Sequence, residues 1–447
     1  MFSKEPSHCS VSFNRQPSEV RLLRKLLLGI SAAIVCIASI LSFISLNKNT
    51  ADSEASYFIF QNAKTIYARN TQTGATEFQG NDAGAVINSV INGTSANSVE
   101  IEIGKGSYPI ESIIRPKSGV QIIGQGMYNT ILQATNYQSM ILNAHPNAPS
   151  LGIEDHDLVI GNFTIDFRSF TGDVINLVSV KHARVFNIII ANVTSDSDAL
   201  DFDGSDDVLV NNTQFYNIGG SAVHISASFA GWPEDWASHK GSSNIKVINS
   251  YAYNVGKTRH IAAYNTFAPD HGLGAAFNDS FSNIKVENSY SGIGFSNLTI
   301  GCSVDNALIN NTVSEGVLIH SGAKDNLVSN VAIYNAGEYG ILIYKASNAT
   351  IENVKVLSSG FNAVAISNSR NIKIIDSKFD NEKKYEHPDI LISNSTQVIV
   401  KHNTILSSKN IGAYTIEEKG DSDYNIIIGN ELTRPAKIIG KHTSFSP

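Results

Sequence analysis

Gly292-Ile293-Gly294-Phe295, Gly316-Val317-Leu318-Ile319, Gly340-Ile341-Leu342-Ile343 and Ala363-Val364-Ala365-Ile366 fall under one another when the sequence is written in steps of 22 to 24 residues. A second line runs Ala307-Leu308-Ile309-Asn310, Asn326-Leu327-Val328-Ser329, Ala349-Thr350-Ile351-Glu352 and Asn371-Ile372-Lys373-Ile374. A fixed period of this length marks a solenoid, in which each repeat buries its apolar face only by stacking on its neighbours. The apolar runs are short and β-branched, and Asn, Ser and Gly separate them, so each repeat reads as short strands joined by turns. Past residue 46, only residues 82–91 show a helical period. A parallel β-helix accounts for this pattern. Coils stack about 4.8 Å apart, and alternate side chains point into the core and out of it. An antiparallel sandwich would instead show irregular strand spacing and hairpin turns such as Asn-Gly.

The chain has 447 residues, enough for a large core, and only 16% of them are charged. The first 25 residues hold five cations and two anions, so the remainder carries 28 positive against 38 negative groups, a balance of −10. An acidic body argues against nucleic acid as a partner. It suits a solvated surface or a cation site. Of the three cysteines, Cys9, Cys36 and Cys302, only the last lies in the repeats. No disulfide can form there, and Cys302 reads as a small buried side chain.

Residues 26–46 form 21 positions without a charge, enough to cross a bilayer core of about 30 Å at about 1.5 Å per residue. Arg21, Arg24 and Lys25 precede this run and only Lys48 follows it. That asymmetry predicts a cytoplasmic basic tail (1–25), a signal anchor (26–46), a linker (47–56) and an extracytoplasmic body at the cell surface. A cleaved signal peptide would have a shorter apolar stretch and a small-residue cleavage site.

Gly80-Asn81-Asp82-Ala83-Gly84-Ala85-Val86-Ile87 reads as a short helix. The strand Val99-Glu100-Ile101-Glu102-Ile103-Gly104-Lys105-Gly106-Ser107-Tyr108 follows, and then Gly119-Val120-Gln121-Ile122-Ile123-Gly124-Gln125-Gly126. This opening resembles that of the pectate-lyase-like superfamily. The resemblance implies an all-β, right-handed, single-stranded parallel β-helix over residues 99–447. It also implies an N-terminal cap region (57–98) whose helix covers the open end of the solenoid. An uncovered end would expose core and unpaired strand edges. The same fold serves lyases, hydrolases, epimerases and adhesins, so chemistry must be argued from the site.

Two insertions, 227–241 and 265–280, interrupt the period after successive strands and should stand side by side over one face. The strands beneath them align Asn176, Asp201, His224 and His260 as an outward column, with neighbours about 5 Å apart. A carboxylate one rung from an imidazole can fix its tautomer and raise its basicity. On this reading His224 is the general base, Asp201 its orienter and His260 the acid. The insertions add Trp232, Glu234, Asp235, Trp236 and His239, then Asp270 and His271, as substrate-binding candidates. The two tryptophans suit the apolar faces of sugars, or else they anchor the loop. Glu234 or Asp235 with Asp201 could form a two-carboxylate glycosidase pair.

Asp196, Asp198 and Asp203 are candidate ligands for Ca²⁺, which takes oxygen donors; as a solvated acidic turn they would need no ion. Ser197-Asp198-Ala199-Leu200-Asp201-Phe202 also resembles the Asn-Thr-Asp-Gly-Ile-Asp stretch of polygalacturonase-type hydrolases. That family's Gly-Asp-Asp has here become Gly219-Gly220-Ser221, and its Arg-x-Lys clamp has no match at Arg259-His260-Ile261. A Ca²⁺-dependent lyase of the pectate-lyase kind would use an arginine base, for which Arg259 is placed. Asn-x-Ser/Thr occurs at Asn92, Asn162, Asn192, Asn211, Asn278, Asn297, Asn310, Asn348 and Asn394. These are glycosylation acceptors on an external body, or turn ladders. The resulting expectation is a membrane-anchored protein, monomeric or homotrimeric, that cleaves or remodels an acidic polysaccharide as a lyase or glycoside hydrolase. The alternative is a non-catalytic carbohydrate-binding, adhesion or structural surface protein.

Overall fold

The computed structural model describes residues 55–94, 96–135, 139–146, 154–168, 171–227, 241–268, 275–380, 387–406 and 414–446. The tail, the anchor and residues 47–54 of the linker lie outside these. Among the described residues no helix is long and apolar enough to cross a membrane.

The chain winds as a parallel β-helix. One face is a 12-stranded sheet that includes Ile175–Val178, Leu200–Asp203, Val223–Ser226, Ala262–Ala268, Ser291–Asn297 and Val317–His320. Each strand pairs in parallel with the next coil. Gly294 lies beside Leu318, then Leu342, then Ala365, as the period predicts. A second, larger sheet wraps the other faces. Inward residues such as Phe202, Ile225, Phe281, Phe295, Ile319 and Ile343 are fully buried and form one continuous core.

Corners are made by residues with positive φ, mostly asparagine, the non-glycine residue best suited to that conformation. Each ten-residue strand of the larger sheet carries two of them five positions apart, for example Asn212 and Asn217, Asn249 and Asn254, Asn306 and Asn311. Their amides stack. Asn249 donates to Asn211 at 2.9 Å and accepts from Asn283 at 3.0 Å, and Asn306 donates to Asn283 at 2.6 Å. This five-residue echo explains a slip in the second sequence line. Ala307 lies beside Val331, five residues beyond the Asn326 it was aligned with. Thr350 lies beside Lys373, one residue on from the aligned Ile372.

The helix at Ala83–Gly93 is where the sequence placed it. Asp82 caps it, accepting from the N–H groups of Gly84 and Ala85, and also accepts from Glu111 and Ser112 at 2.9 and 3.0 Å. Asn88 donates to the Ile113 carbonyl and accepts from the Arg115 N–H. Val86, Ile87, Val90 and Ile91 are buried. The β-ladder starts earlier than residue 99, because Ala55–Asn62 already pairs in parallel with Val99–Ile103.

Asn249 tests the corner ladders. Asn249→Ala removes both amide bonds and leaves a β-carbon at φ 54°. It should cost about 1–3 kcal/mol in urea denaturation, and Asn249→Gly should cost less because glycine takes positive φ freely.

Candidate functional site

On the 12-stranded face, parallel pairing sets Asn176 beside Asp201 and Asp201 beside His224. Their strand neighbours Leu200, Phe202, Val223 and Ile225 are in the core, so alternation turns Asp201 and His224 away from it. Both are nevertheless buried, with 6% and 4% of their surface exposed.

The next rung differs from the sequence expectation. His224 lies beside Asn265, not His260. The chain makes a tight turn closed by the Ile261 N–H on the Gly256 carbonyl, and His260 sits in it at φ 57°. That turn absorbs residues 257–260, so the strand begins only at Ala262. His260 is exposed and stacks on Tyr290, with ring centroids 4.8 Å apart. Its neighbour Arg259 reaches back instead: Nη1 donates to Asp198 Oδ2 at 2.7 Å.

The centre of the site is therefore Asp198, Asp201, His224 and Arg259. His224 Nδ1 stands 3.2 Å from Asp198 Oδ2 and 3.2 Å from Asp201 Oδ1. Asp201 Oδ1 and Asn176 Oδ1 are buried without a hydrogen bond. Asp201 Oδ2 accepts from Asn176 Nδ2 at 3.4 Å. Asp198 Oδ1 accepts from the Ser221 N–H at 2.5 Å, and the Asp198 N–H donates to Asp173 at 2.7 Å. Gly220 makes that approach possible, because a β-carbon there would stand 2.5 Å from Asp198 Oδ1. Phe267 covers one side of the His224 ring at 6.2 Å.

The two carboxylates are driven apart. Burial raises Asp198, but His224, Arg259 and the Ser221 N–H outweigh it and hold the carboxyl below its ordinary range. Burial dominates at Asp201 and raises it to about 7, although His224 pulls the other way. Burial would lower His224, yet Asp198 and Asp201 hold it well above the ordinary imidazole value. A ring held as imidazolium is a proton donor, so the base role expected of it does not fit this setting. Arg259 is likewise held charged by Asp198 against its own burial, which removes it as a base. Asp203 is raised well above normal, first by burial and then by Asp201, and accepts from Ser226. Asp173 is raised to about 6 by burial and by Asp198.

The Ca²⁺ ligand set is also redrawn. Asp196 is exposed and Asp203 is bound to Ser226. Among the described residues, the group whose ligand atoms lie within 4.8 Å of one another is Asp198, Asp201 and His224. It offers a nitrogen and an Asp198 already held by a guanidinium. Ca²⁺ takes about six to eight oxygens, so these residues do not fit it. Trp232, Glu234, Asp235, Trp236, His239, Asp270 and His271 lie outside the described residues. Sequence reading missed Asp173, Asn265 and the Gly219-Gly220 pair. Two consecutive glycines are a visible hint of a close backbone approach, but that it is to Asp198 shows only in the fold.

A family model described as "Right handed beta helix region" matches residues 315–434. With the register above, it supports a right-handed parallel β-helix. No characterised protein sequence matches the chain. Among solved structures, the mannuronan C-5 epimerase AlgE4 A-module of Azotobacter vinelandii is 15% identical, with TM-score 0.53, over 82% of this chain and 96% of that one. The catalytic unit of a GH87 α-1,3-glucanase from Streptomyces thermodiastaticus is 11% identical, with TM-score 0.53, over 82% and 67%. ORF18 of Geobacillus virus E2 is 12% identical, with TM-score 0.52, over 70% and 67%. At such identities the likeness is one of fold.

The buried acids make stability fall with pH. Burial raises Asp279 to about 8 and Asp201 to about 7. From about pH 4, where these groups ionise in the unfolded chain, up to about pH 8, the folded state therefore binds more protons. Stability should decline across that window, and Asp279→Asn should flatten the decline in denaturant titrations at several pH values.

Proposed function

We propose that the protein is a carbohydrate-active enzyme that performs acid–base chemistry on an acidic polysaccharide at the Asp198–Asp201–His224–Arg259 centre. The single observation that carries this reading is the splitting of two carboxylates around one imidazole. Asp198 is kept ionised while Asp201 titrates at about 7. Paired acids with separated pKa values are how a site obtains a proton donor and a fixed charge at neutral pH.

In this reading Asp201 exchanges the proton with the sugar. Asn176 donates to Asp201 Oδ2, and Asp201 Oδ1 faces His224 Nδ1 at 3.2 Å. His224 stays cationic and sets the acidity of Asp201. Asp198 holds His224 and Arg259 in place. Arg259 is the cation here that suits a uronate carboxylate. Arg259 keeps 35% of its side chain exposed, so it is the member of the group that meets substrate first. Residues 26–46 would anchor the body outside the cytoplasm, and the helix Ala83–Gly93 would cap the first coil.

A second reading is favoured by one observation, the burial of Asp198 and His224 to 2% and 4% exposure. There the cluster only ties neighbouring coils together in a carbohydrate-binding or adhesive surface protein.

Asp201→Asn separates the two. Mannuronan, a uronate polymer, and α-1,3-glucan are the first substrates to try, followed by reducing ends, by ultraviolet absorbance for an unsaturated uronate and by NMR for epimerised sugar. The enzymatic reading expects a loss of about 10²–10⁴-fold in turnover with little change in melting temperature. It also expects activity that falls as pH rises through about 7, where Asp201 gives up its proton. Unchanged turnover in the variant, or a parent inactive on a broad polysaccharide panel, would leave the structural reading. A chelator should not reduce the activity, and strong inhibition would return Ca²⁺ to the site.

A further inference from the structure

Arg259 and His260 stand at one end of a row of rings. The turn that carries them is hydrogen-bonded to successive turns along one corner of the solenoid. Tyr290 N–H donates to Val255, Ser314 to Tyr290, Glu338 to Ser314 and Phe361 to Glu338. Asn362 then donates to the Pro388 carbonyl, which places His387 on the next coil. Each step is one coil, so five steps cover about 24 Å. The corner presents His260 stacked on Tyr290 and then Val313, which is 53% exposed. Tyr339 follows at 5.5 Å from Phe361, and Phe361 lies 5.4 Å from His387.

Carboxylates are interleaved with the rings. Glu315 accepts from Ser291 at 2.8 Å and Glu338 from Ser314 at 2.9 Å. After burial, the charges of Glu338 and then Glu315 keep the Tyr339 hydroxyl above the ordinary phenol range, so both flank that ring. Flat apolar faces alternating with acceptors are what a sugar chain requires. Its C–H faces stack on rings, and its hydroxyls donate to carboxylates. A protein partner would ask for a dry apolar patch, which this corner does not offer, and its carboxylates require that a chain lying here turn hydroxyls, not uronate carboxylates, toward them.

We propose that the corner from His260 through Tyr290, Tyr339 and Phe361 to His387 is the track along which the polysaccharide chain lies as it leaves the Arg259 end of the site. Glu338 accepts from the hydroxyls of its sugars, while Glu315, buried, holds Ser291 behind it. The proposal rests on the enzymatic reading for the direction of the chain, but the contact itself is independent of turnover. Along this track the sugars are recognised by their hydroxyls and ring faces, whatever acidic group is read at Arg259.

Binding is therefore the readout. Disaccharides and hexasaccharides of mannuronan and of α-1,3-glucan are titrated calorimetrically into the full chain and into Tyr339→Ala, Phe361→Ala and Phe361→Leu. The hexasaccharide of at least one polymer should bind the parent more tightly than its disaccharide. Each alanine variant should lose about three- to tenfold of that affinity, with the disaccharide unaffected. Phe361→Leu keeps the apolar bulk and should also lose affinity, because the flat face is gone. The track is refuted if length brings no affinity in the parent. It is equally refuted if Phe361→Leu binds as the parent does, or if both lengths weaken together with the melting temperature. An inactive parent that shows the length effect would overturn the enzymatic reading and leave the track standing.

Discussion

Vertical backbone pairing between coils is the constraint on which everything else rests. It sets Asp201 beside His224 although 23 residues separate them, and it brings a turn 61 residues beyond Asp198 within reach of it. The pairing is held by asparagine corners whose amides bond along the axis and by a core of inward Ile, Val and Phe. Neither device uses charge. Ionisable groups on the 12-stranded face are thus not needed to define the fold.

That makes their burial informative. Removing charges from water costs several kcal/mol for each ion, and pairing repays it only when geometry is good. Here Asp198 is well satisfied, by Arg259, His224 and the Ser221 N–H. Asp201 is less so, since it shares the same His224 nitrogen at 3.2 Å and otherwise accepts only one long bond, from Asn176. A stapling network gains nothing from a poorly satisfied acid. A site that must move a proton does. The same asymmetry divides the roles, with Asp198 as the fixed charge and Asp201 as the group that titrates near neutrality.

Much of the fold was legible in the sequence because a solenoid writes its geometry as a period. Gly292, Gly316 and Gly340 gave the 12-stranded face its register directly. The second line failed at Ala307, where positive-φ asparagines five residues apart imitate the period, and slipped by one residue at Asn371. In the site, Asn176, Asp201 and His224 were legible by the same register argument. His260 was not, because a turn at 256–261 consumes residues that alternation would count as strand. Arg259 was noticed for its isolation in the sequence, but its partner Asp198 was visible only once the turn folded back. The close contact at Gly220 and the proximity of Asp173 depend on three coils meeting, which no pairwise alignment reveals. The ring row at the corner escaped because its members sit in turns, where side-chain alternation does not apply.

The protonation of His224 decides the account most directly, and the ring ¹⁵N resonances of the selectively labelled protein report it. The account predicts an imidazolium, with both nitrogens protonated, that persists through neutral pH and becomes neutral in the Asp198→Asn variant. A neutral ring in a single tautomer at neutral pH would contradict it, because Asp198 and Asp201 would then not be holding the charge around which the proposed chemistry is built.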